Sequence, residues 1–179
     1  TVRSTPANAR IVASHSSPPL QVILKEMLKD SDNLTANSLF KKMSELYYHV
    51  AGNWQEGVDA LKMILSPLTY IDFKHGLLTD GAGLSRYNLV SPYMISQLLH
   101  YDYQHSEIRS ILMNTLPIAG RDGTLAYRLP QFARGSLIHA KTGSMTGVTA
   151  LAGYIHSRHN KDLSFVIMIN GFVNPRIPY

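Results

Sequence analysis

Apolar residues in the first two thirds of the chain recur at intervals of three and four, the spacing of one face of an α-helix. Polar, glycine or proline residues separate five such stripes, as the run Lys29–Asn33 and Gly52 do. The pattern therefore predicts five helices before residue 117. Their apolar faces fall within Leu20–Leu28, Leu34–Val50, Trp54–Leu65, the segment that begins at Ser91-Pro92, and Ile108–Thr115.

The pattern changes after Leu116, where glycines and a proline interrupt the chain and the apolar runs become shorter and richer in β-branched residues. Three successive strands are expected at residues 137–142, 148–156 and 163–170. A hairpin tip is expected at residues 159–162, between the last two strands. The near-continuous apolar run Phe165–Ile169 is typical of a buried central strand.

The order of the elements predicts the fold class. Residues 1–17 are expected to be irregular, with one short strand at residues 9–13. Helices come first and strands afterwards, and no strand alternates with a crossover helix, so we expect an α+β architecture. A mainly helical part, about residues 14–116, should pack on an antiparallel sheet formed by about residues 117–179.

Composition limits the classes of function. The chain has 179 residues, 45% hydrophobic and 16% charged, which is enough apolar surface for one folded domain or part of one. It has no cysteine, which excludes a disulfide framework, a thiolate nucleophile and a cysteine zinc site. No apolar run reaches the roughly 18 residues of a membrane-spanning helix. The net charge of +5 arises from basic residues that stand singly or in pairs, so nucleic-acid binding is not expected.

Two short motifs carry the candidate chemistry. Ser-Asp-Asn at Ser31–Asn33 lies in the predicted turn between the first two helices, and Lys-Thr-Gly at Lys141–Gly143 lies on a predicted strand. These two motifs, together with Ser-x-x-Lys, form the signature of penicillin-binding proteins and class A β-lactamases. We therefore expect the Ser31 hydroxyl and the Lys141 ammonium to converge on one cleft beside an exposed strand edge.

Four separated segments carry a wider resemblance: Leu28–Leu34, Asp80–Asn88, Leu116–Gly120 and Ala140–Ser144, the last followed by Leu151–Tyr154. On these segments the sequence resembles the bacterial D-alanyl-D-alanine carboxypeptidase/endopeptidase family, the class C low-molecular-mass penicillin-binding proteins. The resemblance implies the fold shared by penicillin-binding proteins and serine β-lactamases. It also implies an enzyme that needs no cofactor and acts on peptidoglycan stem peptides ending in D-Ala-D-Ala.

The resemblance implies catalytic roles for three motif residues in acyl transfer by a serine. Ser31 resembles the serine that passes a proton to the leaving amine, and Lys141 resembles a fixed cation that faces Ser31 and the terminal carboxylate of the substrate. Asn33 would donate its amide N–H to the carbonyl on the acyl side of the substrate. On local grounds alone, Asn33 could instead serve as a helix cap.

Four further residues are expected to bind substrate. Thr142 would add a hydroxyl to the carboxylate site, and Gly143 would let a substrate backbone lie along the strand edge. The backbone N–H of Ser144 would be one of two oxyanion donors, the other belonging to the nucleophile. Arg86 would grip a second carboxylate on the stem peptide, or else form a structural ion pair with Asp80.

The nucleophile motif is the part of the signature that is not found in its family position. In the family Ser-x-x-Lys lies far upstream of Ser-x-Asn, whereas the one such string here, Ser38–Lys41, follows Asn33 in the middle of an amphipathic helix. We interpret that string as structural. The chain is therefore expected to be the C-terminal portion of a longer protein, and inert without the upstream part of that protein. The resemblance implies that this protein is periplasmic.

The resemblance predicts a D-Ala-D-Ala carboxypeptidase, with endopeptidase activity on cross-links, that is acylated by β-lactams. Two alternatives remain open, a serine β-lactamase and a catalytically dead cell-wall-binding module of the same fold. The spacings of His100 with His105 and of His156 with His159, without a nearby carboxylate, do not favour a metal site.

Overall fold

Five α-helices precede three β-strands along the chain, in the predicted order. The computed structural model describes residues 5–135, 137–156 and 162–173. The helices are α1 (Leu20–Asp30), α2 (Asn33–Tyr48), α3 (Trp54–Leu65), α4 (Pro92–Gln104) and α5 (Ser106–Thr115). The strands are β1 (Ile138–Met145), β2 (Val148–His156) and β3 (Asp162–Asn170). The α+β class is thereby confirmed.

Side-chain caps mark the start of three helices, α2, α3 and α4. The carboxylate of Asp32 accepts a hydrogen bond from the backbone N–H of Leu34 at 2.9 Å, which satisfies an amide of the first turn of α2. Ser91 accepts from the N–H of Met94 at 3.2 Å, and Pro92 occupies the first position of α4. The polar residues between the apolar stripes therefore act as helix starts.

The three strands form one antiparallel sheet in the order β1-β2-β3. Lys141 of β1 lies opposite Ala152 of β2, which in turn lies opposite Val166 of β3. Because successive side chains on a strand point to opposite faces, Lys141 lies on the same face as Ala152 and Val166, and Thr142 lies on the other face.

The two faces of the sheet are covered by different parts of the chain. On one face Tyr154 is 1% exposed and its hydroxyl donates to the Leu99 carbonyl of α4 at 2.8 Å. On the other face Ala140 packs with Leu125, and both are fully buried. Leu125 belongs to residues 116–126, which we call the bridging loop. The helical part thus packs on the sheet as predicted, and a loop covers part of the opposite face.

Two expectations about strands are wrong. Residues 9–13 are exposed and form no strand, because none of the described strands lies alongside to pair with their backbone. β3 lies at the margin of the described sheet, and β2 is its central strand. Accordingly Leu163, Ile167 and Ile169 are 58%, 52% and 50% exposed. Of the expected hairpin tip, only Asp162 lies among the described residues.

Candidate active site

Ser31 lies at the sharp reversal between α1 and α2. It adopts a left-handed backbone conformation, φ 58° and ψ 47°, and its backbone N–H donates to the Met27 carbonyl. The N–H of Asp32 donates to the same carbonyl at 3.0 Å. These contacts close α1 in the manner of a helix C-terminal cap and leave the Ser31 side chain beside the sheet.

The Ser31 hydroxyl and the Lys141 ammonium meet, as the motif argument requires. Lys141 Nζ donates to Ser31 Oγ at 2.7 Å, and it also donates to the Thr142 carbonyl at 2.9 Å. Lys141 is half-buried, and this burial lowers the pKa of its ammonium below the usual lysine value. The arrangement provides a fixed cation in contact with a hydroxyl that can carry a proton.

Asn33 is the first residue of α2 and is exposed. The capping function that local reasoning allowed for Asn33 is filled by its neighbour Asp32, whose carboxylate also accepts from the Thr35 hydroxyl at 2.5 Å. Hydrogen bonds that Asp32 accepts from the Thr35 hydroxyl and from the Thr35 backbone lower the pKa of its carboxyl. The Asn33 side chain is therefore not needed for the helix start.

The outer edge of β1 is paired with the bridging loop in its first half and unpaired in its second half. The N–H of Ala140 donates to the Pro117 carbonyl at 2.9 Å, and the Ile138 carbonyl accepts from Ala119 at 3.0 Å. Backbone groups alternate sides along an antiparallel strand, so those of residues 142 and 144 point to the same edge. Within the described parts of the chain, no backbone group pairs with this edge beyond residue 140.

Gly143 and Ser144 are both exposed at this unpaired stretch of edge. A peptide in an extended conformation can add to such an edge as a further strand, hydrogen bonding to its N–H and carbonyl groups. The Ser144 N–H is among the groups available there, because it points away from β2. The Lys-Thr-Gly motif thus lies where a lysine, a hydroxyl and an open strand edge come together.

Arg86 reaches the same end of the sheet. Its guanidinium Nη2 donates to the Thr146 carbonyl, in the turn between β1 and β2, at 2.9 Å. Asp80 accepts instead from the backbone N–H groups of Gly83 and Ser85, at 2.6 and 2.7 Å, so among the described residues it is a loop-shaping acceptor and not the ion-pair partner of Arg86. The exposed Arg86 is therefore held next to the motif strand.

Sequence reasoning missed a set of contacts between α1 and the bridging loop. Lys29 Nζ donates to both carboxylate oxygens of Asp122, at 2.6 and 2.7 Å, and to the Leu116 carbonyl at 2.7 Å. Gly123 has φ +55°, and a Cβ there would lie 2.7 Å from the Lys29 carbonyl oxygen, so only glycine allows this approach. The segment Leu116–Gly120 carries part of the family resemblance. Its contact with Lys29 could not be predicted, because Lys29 and Leu116 are 87 residues apart in sequence.

A second missed residue is Thr124, which follows Gly123 in the bridging loop. Its hydroxyl oxygen lies 2.9 Å from the hydroxyl oxygen of Thr142 in the Lys-Thr-Gly motif. No pattern in the sequence identifies this pair, since a threonine in a glycine-rich loop has no signature of its own. The bridging loop therefore contacts the Lys-Thr-Gly motif at Thr142 and the end of α1 at Lys29, two residues before Ser31.

The Ser38–Lys41 string has the structural contacts expected of it. Ser38 Oγ donates to the Leu34 carbonyl one turn earlier in α2, at 2.8 Å. Lys41 Nζ lies 4.2 Å from the centre of the Trp54 ring, a cation–π contact between α2 and α3. The hydroxyl and the amine are thus each engaged with separate partners.

Several histidines contact protein groups. His156 Nδ1 is paired with Asp162, and His139 Nδ1 contacts the Met113 carbonyl at 2.9 Å. His159 lies outside the described residues. Within residues 5–135, 137–156 and 162–173, no group of three or more His, Asp or Glu side chains is arranged to hold a metal ion. None of the helices described is long and apolar enough to cross a membrane.

Helices packed on an antiparallel sheet, with Ser-x-Asn facing Lys-Thr-Gly at its edge, define the class of penicillin-binding-fold peptidases. The family profile described as D-Ala-D-Ala carboxypeptidase 3 (S13) matches residues 1–178, and the chain belongs to this family. The resemblance read from the motifs is thereby confirmed.

Individual relatives agree with this assignment. The chain is 40% identical over 175 residues to the D-alanyl-D-alanine carboxypeptidase DacB of Haemophilus influenzae, covering 93% of the chain and 35% of that protein. It is 35% identical over 173 residues to a D-alanyl-D-alanine carboxypeptidase of Actinomadura sp. (strain R39), covering 94% of the chain and 31% of that protein. The chain thus spans about a third of the length of these relatives.

Solved structures show the same fold. The crystal structure of penicillin binding protein 4 (dacB) from H. influenzae superposes with a TM-score of 0.86 at 38% identity, over 98% of this chain and 39% of that one. A second structure of that protein, complexed with a β-lactam, superposes with a TM-score of 0.85 over 96% of this chain and 40% of that one, again at 38% identity.

Proposed function

We propose that this chain is the C-terminal portion of a serine-type D-Ala-D-Ala carboxypeptidase and endopeptidase that acts on peptidoglycan stem peptides through an acyl-enzyme. The observation that carries the proposal is the 2.7 Å contact between Lys141 Nζ and Ser31 Oγ beside the unpaired edge of β1. Family membership supports the reaction type, since the matching profile is that of D-Ala-D-Ala carboxypeptidases.

In the proposed reaction a serine supplied by the upstream part of the protein attacks the carbonyl carbon between the two D-alanines. The new bond joins the serine oxygen to that carbon, the C–N bond breaks, and the terminal D-Ala leaves as an amine. The lysine of the upstream Ser-x-x-Lys takes the proton of the attacking serine, and Ser31 relays that proton to the leaving nitrogen. The adjacent Lys141 ammonium holds the Ser31 hydroxyl in place. Water then releases the acyl group and regenerates the serine.

The proposed substrate lies along the outer edge of β1. Gly143 leaves room for its backbone, and the Ser144 N–H stabilises the oxyanion together with a donor from the nucleophile segment. The ammonium of Lys141 and the hydroxyl of Thr142 bind the terminal carboxylate, since charge-assisted hydrogen bonds are the stronger class. These contacts would orient the scissile bond at Ser31.

Two exposed side chains would hold the rest of the stem peptide. The amide of Asn33 donates to the carbonyl on the acyl side of the substrate. It is available for this contact because Asp32 caps α2. Arg86, fixed through Thr146 at the end of β1, binds a second carboxylate bidentately. Such an arginine would favour stem peptides with an acidic group near the cleavage point.

A longer protein would also explain the exposed apolar face of β3. Leu163, Ile167 and Ile169 are at least half exposed, and large apolar side chains on a strand are normally covered. The relatives are about three times as long as this chain, so they contain ample sequence to cover such a face. We place the complete protein in the periplasm, where its peptidoglycan substrate is found.

β-Lactam acylation tests the proposal. The H. influenzae relative has been solved in complex with a β-lactam, which supports the same ligand class here. We expect a fluorescent penicillin to label the complete protein covalently at an upstream Ser-x-x-Lys serine, and to leave the isolated 179-residue chain unlabelled. Loss of a serine nucleophile lowers turnover by on the order of a millionfold.

Three other results of the labelling experiment would contradict the proposal. Robust labelling of the isolated chain at Ser38 would contradict the assignment of the nucleophile to an upstream segment. Rapid penicillin hydrolysis without release of D-Ala from a peptide would indicate a β-lactamase. Peptidoglycan binding with neither reaction would indicate a non-catalytic wall-binding module.

A further inference from the structure

The hydroxyl of Thr142 is held by a residue outside the signature motifs. Thr124 Oγ1 lies 2.9 Å from Thr142 Oγ1, and both side chains are half-buried. Thr124 occupies a 3₁₀ turn, Gly123–Leu125, within the bridging loop. The contact joins two segments 18 residues apart, so the tertiary fold brings the pair together.

Thr124 is fixed on both sides by its chain neighbours. Leu125 is fully buried, and its carbonyl accepts from the Gly120 N–H at 2.9 Å. On the other side Gly123 packs directly against the Lys29 backbone at the end of α1. A hydroxyl carried between two such anchored residues has a defined position relative to β1.

The chemistry of two paired hydroxyls allows this hydrogen bond to reverse its direction. A hydroxyl has one proton to donate and two lone pairs that accept, whereas a carboxylate only accepts. In the structure Thr142 donates to Thr124. When Thr142 turns its proton to a substrate carboxylate, its lone pairs can accept the proton of Thr124 instead. Hydrogen bonds in such a chain polarise one another, so the donor that faces the carboxylate becomes stronger.

We propose that Thr124 is a positioning residue for the terminal carboxylate of the substrate, acting through Thr142. It holds the Thr142 side chain in the rotamer that faces the carboxylate and supplies the second link of a chain from Thr124 to Thr142 to the carboxylate oxygen. The inference rests on the proposed function, since it assigns the selectivity of that same site for a free C-terminal acid.

The test compares a peptide acid with its amide in the complete protein. The probes are a tripeptide ending in D-Ala-D-Ala, assayed by D-Ala release, and its C-terminal amide, assayed as a competitive inhibitor of that release. T124V removes the hydroxyl at nearly constant volume, and T124S keeps it. We expect T124V to raise KM for the acid about tenfold while kcat changes little, with the Ki of the amide within about twofold. T124S should have the same KM for the acid as the unmodified protein.

A matched control removes a threonine hydroxyl elsewhere. Thr69 Oγ1 donates to the Leu65 carbonyl at 2.9 Å at the end of α3, and T69V should leave both constants unchanged. Equal losses for acid and amide in T124V, or no loss for either, would overturn the inference while unmodified activity upholds the proposed function. Failure of the unmodified complete protein to release D-Ala would overturn both.

Discussion

Ser31 carries its hydroxyl on a strained backbone. Its φ of 58° and ψ of 47° place it in the left-handed region, which costs an L-residue about 1–2 kcal/mol and glycine almost nothing. Glycine would therefore suit the turn between α1 and α2 better, but it would remove the group that contacts Lys141. Serine thus keeps a hydroxyl in contact with Lys141 at the cost of backbone strain.

Two substitutions of Ser31 separate the effect of backbone strain on stability from the effect of losing the hydroxyl. S31G and S31A both lose the contact with Lys141, but only alanine keeps the left-handed penalty. We therefore expect S31G to exceed S31A in free energy of unfolding by about 1 kcal/mol, measured by denaturant unfolding. At Ser38, exposed in the right-handed body of α2, the order should reverse, with alanine more stable than glycine. The same order at both sites would contradict this account.

Residues that belong to a short motif could be predicted from the sequence. Residues whose role depends on tertiary contacts could not. Ser31 and Lys141 belong to short signatures, so their approach could be expected from the sequence. Lys29 and Thr124 have no such signature, and their partners are set by how α1, the bridging loop and β1 pack together. Information of that kind is tertiary and is not contained in local spacing.

The bridging loop is the element that relates the two motifs to each other. Lys29 lies near the end of α1, two residues before the reversal at Ser31. Its side chain is only 12% exposed and donates hydrogen bonds to both carboxylate oxygens of Asp122. The same loop supplies Pro117 to the edge of β1 and Thr124 to the motif threonine. Movement of α1 relative to β1 would require these contacts to break together.

Removing the lysine tests this linkage. K29M keeps the length of the side chain but leaves the Asp122 carboxylate and the Leu116 carbonyl without their donor. Charged hydrogen bonds of this kind contribute about 2 kcal/mol, so we expect K29M to lose about that much free energy of unfolding. K25M, one turn earlier on α1 and exposed, is the matched control and should change stability by less than about 0.5 kcal/mol. Equal effects from both variants would contradict the role of the pair.

Helices were easier to predict than the environment of the strands. Five stripes with a helical period, each bounded by capping or breaking residues, fixed the helices within a few positions. Residues 9–13 have the composition of a strand, but a strand requires a neighbour for its backbone groups, and periodicity says nothing about neighbours. For the same reason the apolar run of β3 predicted a strand but not its place at the margin of the described sheet.

For the whole molecule, burial of charge between the helices and the sheet makes stability depend on pH. Asp102 of α4 is partly buried, and this burial raises the pKa of its carboxyl from 3.8 to about 6. Between these values the folded state binds more protons than the unfolded chain, so this group lowers the free energy of unfolding as pH rises from about 4 to 6. Asp32, Asp72 and Asp162 act in the opposite sense, because hydrogen bonds lower their pKa values.

The variant D102N isolates this contribution, because an amide has no proton to lose in the window. We expect D102N to exceed the unmodified chain in free energy of unfolding at pH 7, by on the order of 1 kcal/mol once solvent screening of a partly exposed carboxyl is allowed for. The difference should shrink towards pH 4, where the native carboxyl is protonated. Denaturant unfolding at both pH values measures it, with E26Q on the exposed side of α1 as the matched control. A D102N variant less stable at pH 7, or an advantage that grows as the pH falls, would show that ionised Asp102 stabilises the fold.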